Sequence, residues 1–219
     1  MFRSGYLNLG RIAGARVRAH WTLPVGALVF GGGRFDLGYL AGFVLLVLVH
    51  EVGHAVVVRK CGHRATALDV HGMGGLCHWA GDPTALDVAL IAWGGVWAQA
   101  LLYLATFAAT LLLGTPRQPF FAELWAAFTW TNVWMMALNL VPIPPLDGAE
   151  AWKLFPLMWR RAQARAQERR LVARYRARKA LAELEAAERR APASEIAPEV
   201  EEMVSRLARD EGEDKGKRR

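Results

Sequence analysis

The sequence predicts an all-α polytopic membrane protein with about four transmembrane helices, a small membrane-surface β-hairpin and a cytoplasmic C-terminal helix. Three observations lead to this fold class. Of the 219 residues 53% are hydrophobic, and four apolar segments approach the roughly 20 residues that cross a bilayer core. Basic residues flank these segments on one side only, as they do in multi-pass proteins. All nine tryptophans precede residue 160, after which Arg, Glu and Ala dominate.

The four apolar segments differ in quality as membrane spans. The first, from about His20 to Gly33, is short and glycine-rich and is the weakest. The second, Leu37 to Val58, is strongly apolar but contains ionisable residues, and the third, Ala85 to Leu113, is longer than a span requires. The fourth, Phe120 to Val141, stops at a proline-rich stretch, residues 142–145, through which a helix cannot continue.

The distribution of positive charge predicts the orientation. Basic residues precede the first span, follow the second and follow the fourth, whereas the other two loops carry one Arg each. With four spans, these basic flanks all fall on the cytoplasmic side, so we expect a multi-pass cell-membrane protein with both termini and access to the active site in the cytoplasm. The net charge of +7 is concentrated in the block after the fourth span, which favours binding to anionic membrane lipids and not to nucleic acid.

The chain divides by composition into four predicted regions. Residues 1–19 form a cytoplasmic N-terminal segment, 20–158 the membrane core, 159–190 a basic cytoplasmic helix, and 191–219 a linker, a short helix and a disordered tail. Within the core, two strand-like pieces predict the surface hairpin. They are Ala67 to His71 and Gly75 to Trp79, on either side of a Gly-Met-Gly turn.

The second span contains the sequence His50-Glu51-Val52-Gly53-His54. Residues four apart lie on one face of a helix, so His50 and His54 can direct their imidazoles to one metal ion with Glu51 beside it. A bare match of this kind also occurs on ordinary solvated helices. Here it follows Leu-Val-Leu-Val and precedes Ala-Val-Val-Val, and ionisable groups in an apolar span usually mark a functional site.

A catalytic zinc ion usually has three protein ligands, so a third ligand is needed. Asp147 is the candidate, because the predicted orientation places the end of the fourth span at the same depth as the two histidines. The alternative use of Asp147 is as the N-cap of a helix from Gly148 to Met158. The agreement in depth favours metal binding.

Together, the HExxH sequence and the segment from Asn139 to Gly148, NLVPIPPLDG, resemble the paired motifs of the site-2 protease family of intramembrane zinc metalloproteases. The resemblance covers about residues 10 to 158 and is greatest to the compact branch that processes sporulation factors, without a PDZ domain. It implies a zinc metalloendopeptidase in which His50, His54 and Asp147 bind Zn²⁺. It further implies that Glu51 is the general base and that Asn139 lies near the substrate backbone or the oxyanion.

The third span departs from the family pattern at one position. Where the family often has Gly-Pro-x-x-Asn, this chain has Gly95-Val96-Trp97-Ala98-Gln99, with no proline and with Gln in place of Asn. Gln99 can still donate and accept hydrogen bonds, so we interpret it as a substrate-binding residue. Gly94 and Gly95 are interpreted as small residues that allow close helix packing.

The resemblance implies a single-span membrane protein as the substrate and intramembrane proteolysis with release of a cytoplasmic fragment. The alternative is a noncatalytic membrane metalloprotein, or a pseudoprotease scaffold that recruits partners through the basic C-terminal helix. The intact Glu51 argues against it, because a structural metal site needs no base. A second zinc site could be assembled from Cys61, His63, Cys77 and His78, but their spacing matches no common structural site. The oligomeric state cannot be inferred from the sequence.

Overall fold

The computed structural model of the chain describes residues 5–33, 35–190, 202, 203, 205 and 206. Twelve secondary-structure elements lie within these residues. Chain contacts divide the protein into two units, residues 1–160 and 161–219. Of the predicted short helix near the C-terminus, residues 202, 203, 205 and 206 are described and are helical, and the others lie outside the described residues.

The first unit contains the helices of the core. In chain order these are α1 (Leu23–Phe30), α2 (Leu37–Lys60), α3 (Ala85–Leu113), α4 (Pro119–Ala126), a π-helical turn (Ala127–Thr131), α5 (Asn132–Asn139) and α6 (Gly148–Ala151). The helix α7 (Leu154–Arg190) begins in this unit. Its residues from Arg161 onward belong to the second unit.

Two of these helices, α2 and α3, are long and apolar enough to cross a membrane. The run from α4 through the π-helical turn to α5 is uninterrupted over residues 119–139 and matches the predicted fourth segment. The predicted first span is different. Its helix α1 has eight residues, which at 1.5 Å per residue is about 12 Å long and far shorter than a bilayer core of about 30 Å.

The predicted hairpin forms, but it is part of a larger sheet, so the protein is not all-α. The strands β1 (Tyr6–Ile12), β2 (Ala15–His20), β3 (Arg64–His71) and β4 (Gly74–Ala80) pair in the order β1-β2-β3-β4. The pair β2–β3 is parallel and the other two are antiparallel. A two-residue turn with positive φ at Ala13 and Gly14 joins the first two strands, as the right-handed twist of a hairpin favours.

The sheet packs its inner face on the second half of α2. Val17 of β2 and Leu68 of β3 are buried there against Ala55 and Val58 of α2. A second apolar cluster, which includes Leu46, surrounds the first half of the same helix. Because α2 lies between both clusters, its side chains are held on several sides, and the HExxH turn lies where the sheet and α3 meet it.

Candidate metal centre

Helix α2 presents His50 and His54 on one face, as their spacing predicts. Their Nε2 atoms lie 2.9 Å apart, and the rings meet edge to face with centroids 4.6 Å apart. Both side chains are buried, at 4% and 5% exposure. Two imidazole nitrogens that face each other so closely in an apolar helix form the beginning of a cation site.

Asp147, which lies far downstream in the sequence, completes this site. Its Oδ2 atom lies 2.9 Å from Nε2 of His50 and 3.2 Å from Nε2 of His54. Asp147 does occupy the N-cap position of α6, but its side chain makes no capping hydrogen bond. The backbone carbonyl of Asp147 accepts from the amide of Ala151 instead, at 2.8 Å. Of the two uses that the sequence allows, the side chain therefore adopts the one directed at the histidines.

The other nitrogen of each imidazole also has a partner. Nδ1 of His50 lies 3.0 Å from Oε1 of Gln99, and Nδ1 of His54 lies 2.7 Å from the backbone oxygen of Ile91. Both Nε2 atoms face Asp147, so the ring protons belong on Nδ1 and are donated to these two oxygens. Such outer hydrogen bonds fix the tautomer and the ring plane of a metal-binding histidine.

The three side chains fit a zinc ion. Their ligand atoms are 2.9, 2.9 and 3.2 Å apart, close to the roughly 3.3 Å between two ligands of a tetrahedral ion with bonds of about 2.0 Å. Two neutral imidazoles and one carboxylate are a usual donor set for catalytic zinc and leave the fourth position open. Among the described residues this is the one such group, and the four Cys and His residues considered above form none.

Glu51 follows His50 in α2 and lies next to this group. The side chain is 1% exposed, and its Oε2 atom has no hydrogen-bond partner among the described residues. On the other side the carboxylate lies against Gly75 of β4, where an added Cβ would overlap it. A buried carboxylate oxygen that is free to accept a proton is what a general base requires.

Cys77 lies on the same strand as Gly75 and on the same face of the sheet. Burial, together with the negative charge of Glu51, raises the pKa of Cys77 to about 12. The thiol therefore remains protonated near neutral pH. Since the thiolate is the form that binds metals, Cys77 does not compete for the metal site.

Small residues bring α2 and α3 together at this level. Gly53 and Gly94 face each other so closely that a Cβ on either would overlap the other backbone, which confirms the close packing expected for Gly94. Gly95 has a more specific role. A Cβ there would overlap the imidazole of His50, so only a residue without a side chain leaves room for the ring.

The two predicted substrate-binding residues both lie at the site. Nδ2 of Asn139 is 3.5 Å from Nε2 of His50, and Gln99 is fully buried behind the same ring. Contact of either residue with substrate stays a prediction.

Two tryptophans hold the segment that carries Asp147. The indole N–H of Trp152 donates to the carbonyl of Leu140 at 2.7 Å, and that of Trp93 donates to the carbonyl of Ala151 at 2.8 Å. Their hydrogen-bond partners depend on contacts between distant segments, for which the sequence gives no signal.

The outer face of the sheet carries an ion-pair cluster that joins three strands. Arg18 of β2 donates two hydrogen bonds to Asp69 of β3, at 2.5 and 2.6 Å, and Nε2 of His78 of β4 lies 2.8 Å from the same carboxylate. Burial raises the pKa of Asp69, but the hydrogen bonds of Arg18 and His78 outweigh it and hold the pKa below its usual value. The cluster thus fixes the strands that cover Glu51.

Comparison with known proteins agrees with this geometry. The chain is 31% identical over 178 residues to "Putative zinc metalloprotease Rip3" of Mycobacterium tuberculosis, in strains Erdman and H37Rv. That match covers 71% of this chain and 44% of the relatives' length. In the fold, the site-2 protease from Methanocaldococcus jannaschii is similar, with a TM-score of 0.54 at 18% identity over 68% of this chain and 71% of that one.

The profile of the Peptidase M50B-like family matches residues 39–166. That range contains the histidine pair, Glu51 and Asp147, and it accounts for more than half of the chain. The protein therefore belongs to this family of peptidases, the site-2 proteases whose paired motifs its sequence carries.

Proposed function

We propose that this protein is an intramembrane zinc metalloendopeptidase, which hydrolyses peptide bonds in or near the transmembrane segments of membrane-tethered substrates and releases a cytoplasmic fragment. One observation carries the proposal. His50 and His54, on a helix apolar enough to cross a membrane, converge with Asp147 beside the buried carboxylate of Glu51. The family match and the name of the mycobacterial relative support the same chemistry.

The residues divide the reaction between them. His50, His54 and Asp147 would hold the zinc ion, which when bound supplies a Lewis acid for the substrate carbonyl and favours ionisation of water. Glu51 takes a proton from the attacking water through its unpartnered Oε2. The water oxygen bonds to the carbonyl carbon, the C–N bond breaks, and Glu51 returns the proton to the leaving nitrogen. Asn139, whose Nδ2 atom lies 3.5 Å from Nε2 of His50, would donate a hydrogen bond to the substrate.

Strand β4 would align the substrate. It is the last strand in the order of the described sheet, so its outer edge has no partner strand there, and its Gly75 lies against Glu51. A substrate helix shields its own carbonyl groups by internal hydrogen bonds and has to unwind before hydrolysis. An unwound segment can pair with an exposed strand edge, which would bring its backbone alongside the general base.

The membrane arrangement belongs to the proposal. We propose that four segments pass through the bilayer, namely the residues around the short α1, α2, α3 and the run 119–139, because only an even number of passages places both termini in the cytoplasm. A span shorter than the bilayer core can be accommodated by local thinning of the membrane. The basic residues at the end of α2 and in α7 would then face anionic headgroups. A scaffold without catalysis is not favoured, because such a protein has no use for a buried carboxylate beside the metal ligands.

The test compares the full-length zinc-loaded protein with Glu51→Gln in detergent, using a panel of single-span substrates and mass spectrometry of the fragments. We expect cleavage by the wild type alone, with equal zinc content in both. The matched control is Glu150→Gln, a half-exposed glutamate paired with Lys153 outside the centre, which should leave cleavage unchanged. Equal cleavage by wild type and Glu51→Gln would refute the role of Glu51, and zinc binding without cleavage of any substrate would favour the scaffold.

A further inference from the structure

The helical run 119–139 contains one π-helical turn, Ala127–Thr131, and Asn132 follows it directly. A π-turn is rare, and the extra residue that it inserts rotates the side chains that follow. Here the turn aims two polar side chains inward. The Oγ1 atom of Thr131 lies 2.6 Å from the hydroxyl of Tyr39 in a buried hydrogen bond, and Asn132 is 0% exposed.

The amide of Asn132 connects α5 to α3. Its Nδ2 atom donates to the backbone oxygen of Gln99 at 2.9 Å and to that of Phe128 at 3.2 Å. Because both acceptors are carbonyl oxygens, only the nitrogen of the amide can face them, and this fixes the orientation of the group. Asn132 thereby holds the backbone of α3 at Gln99, which has a side-chain amide of its own.

The side-chain amide of Gln99 in turn holds His50. Oε1 of Gln99 accepts the Nδ1 proton of the imidazole, and Gln99 is also 0% exposed. Two fully buried amides at one level of an apolar bundle are uncommon, and Nε2 of Gln99 and Oδ1 of Asn132 have no partner among the described residues. Apolar side chains would avoid this desolvation, so the pair is retained for something other than packing.

We infer that Gln99 and Asn132 are positioning residues for the metal centre. Asn132, aimed by the π-helical turn, fixes Gln99, and Gln99 orients the ring of His50 so that Nε2 faces Asp147. Both oxygen atoms of Gln99 serve this role, the side-chain oxygen as acceptor for His50 and the backbone oxygen as acceptor for Asn132, and contact of Gln99 with substrate stays a separate prediction. The inference rests on the proposed function in one respect, namely that His50 binds zinc.

A double-mutant cycle on zinc affinity tests the inference, with the full chain in detergent and a chromophoric chelator as competitor. Gln99→Leu removes the acceptor for His50, and we expect zinc affinity to fall about tenfold to a hundredfold. Asn132→Leu should lower it by a smaller factor. In the Gln99→Leu background, Asn132→Leu should cause no further loss, because its effect passes through Gln99.

Two further variants separate positioning from general stability. Gln99→Glu keeps an acceptor for His50 and should retain most of the zinc affinity. Thr106→Val is the matched control in α3, because Thr106 is buried and its hydroxyl donates to the carbonyl of Leu102 within the same helix. It should leave zinc affinity unchanged. Helical circular dichroism checks the fold of each variant, and Asn132→Asp, which has the same shape but no donor, gives a second reading if Asn132→Leu unfolds.

The outcomes are distinct. Wild-type zinc affinity in Gln99→Leu, or an equal loss from Asn132→Leu in both backgrounds, would overturn this inference and leave the proposed function standing. Absence of zinc binding by the wild type would remove the proposed function and this inference with it. A loss that is confined to the wild-type background would support both.

Discussion

Replacing Gly95 by alanine should damage the metal centre more than the fold. A Cβ at this position would lie 2.4 Å from Cε1 of His50 and 2.6 Å from both ring nitrogens, whereas ordinary van der Waals contact begins at 3.4 Å. The ring would have to move by the largest difference, about 1.0 Å. Gln99 and Asp147 hold it on both sides, so a movement of that size carries Nε2 away from the other ligands.

The two expected magnitudes differ. Alanine favours a helix interior over glycine by about 1 kcal/mol, and an overpacked methyl group costs about 1–3 kcal/mol, so the free energy of unfolding should fall by about 2 kcal/mol at most. Metal sites tolerate displacements of only about 0.5 Å. We therefore expect zinc affinity to fall by about tenfold to a hundredfold, and kcat by about a hundredfold for a misplacement near 1 Å.

The assay measures zinc affinity by chelator competition, together with kcat/KM and thermal unfolding. Gly42→Ala is the matched control, because its Cβ would press on that of Ala127 at 2.7 Å, eight residues or about 12 Å along α2 from His50. It should cost similar stability and leave zinc affinity intact. Wild-type zinc affinity in Gly95→Ala would refute this prediction. A loss of zinc affinity in Gly42→Ala as large as that in Gly95→Ala would also refute it.

Two further predictions concern the sheet. Gly75→Ala should displace Glu51 and lower kcat while zinc affinity stays unchanged; a variant with the wild-type kcat would contradict the contact. Arg18→Met leaves Asp69 buried with His78 as its remaining partner, and should lower the free energy of unfolding by about 1–2 kcal/mol near neutral pH, since the Arg18 side chain is 36% exposed and the ion pair is partly screened by solvent. Because the folded-state pKa of Asp69 is lowered, its stabilisation is present above the unfolded pKa of about 3.9 and is lost as the pH falls through the folded value. Denaturant titrations should show the difference between variant and wild type shrinking below about pH 4, and an equal difference at neutral and acid pH would exclude this explanation.

The long helices could be predicted because their signal is local. The third apolar segment was predicted from Ala85 to Leu113, which are the bounds of α3, and the second from Leu37 to Val58, two residues short of the end of α2. Apolar composition over 20 residues reports directly on such a helix. The first segment, predicted as the weakest, contains only the eight-residue α1, because three consecutive glycines follow at residues 31–33 and favour a turn over further helix.

The sheet was only half predicted. The hairpin of β3 and β4 has a glycine-rich turn that marks it, but β1 and β2 were missed although residues alternate in burial along β2, with Ala15 and Val17 inside and Arg16 between them. That alternation is a strand signal over too few residues to stand alone. The parallel pairing of β2 with β3 joins strands on either side of α1 and α2, and no local pattern encodes it.

At the metal centre, the side chains that act on the metal and those that arrange the centre differ in how they can be inferred. His50 and Asp147 belong to motifs whose chemistry follows from residue type, because imidazole and carboxylate groups have few other uses inside an apolar helix bundle. Gly95 and Asn132 have types that occur throughout helical proteins. Their roles depend on which atom opposes them across the bundle, and that atom belongs to a helix tens of residues away. Chemistry that depends on residue type can therefore be inferred from one sequence, whereas chemistry that depends on an empty space or an outer hydrogen bond requires the fold.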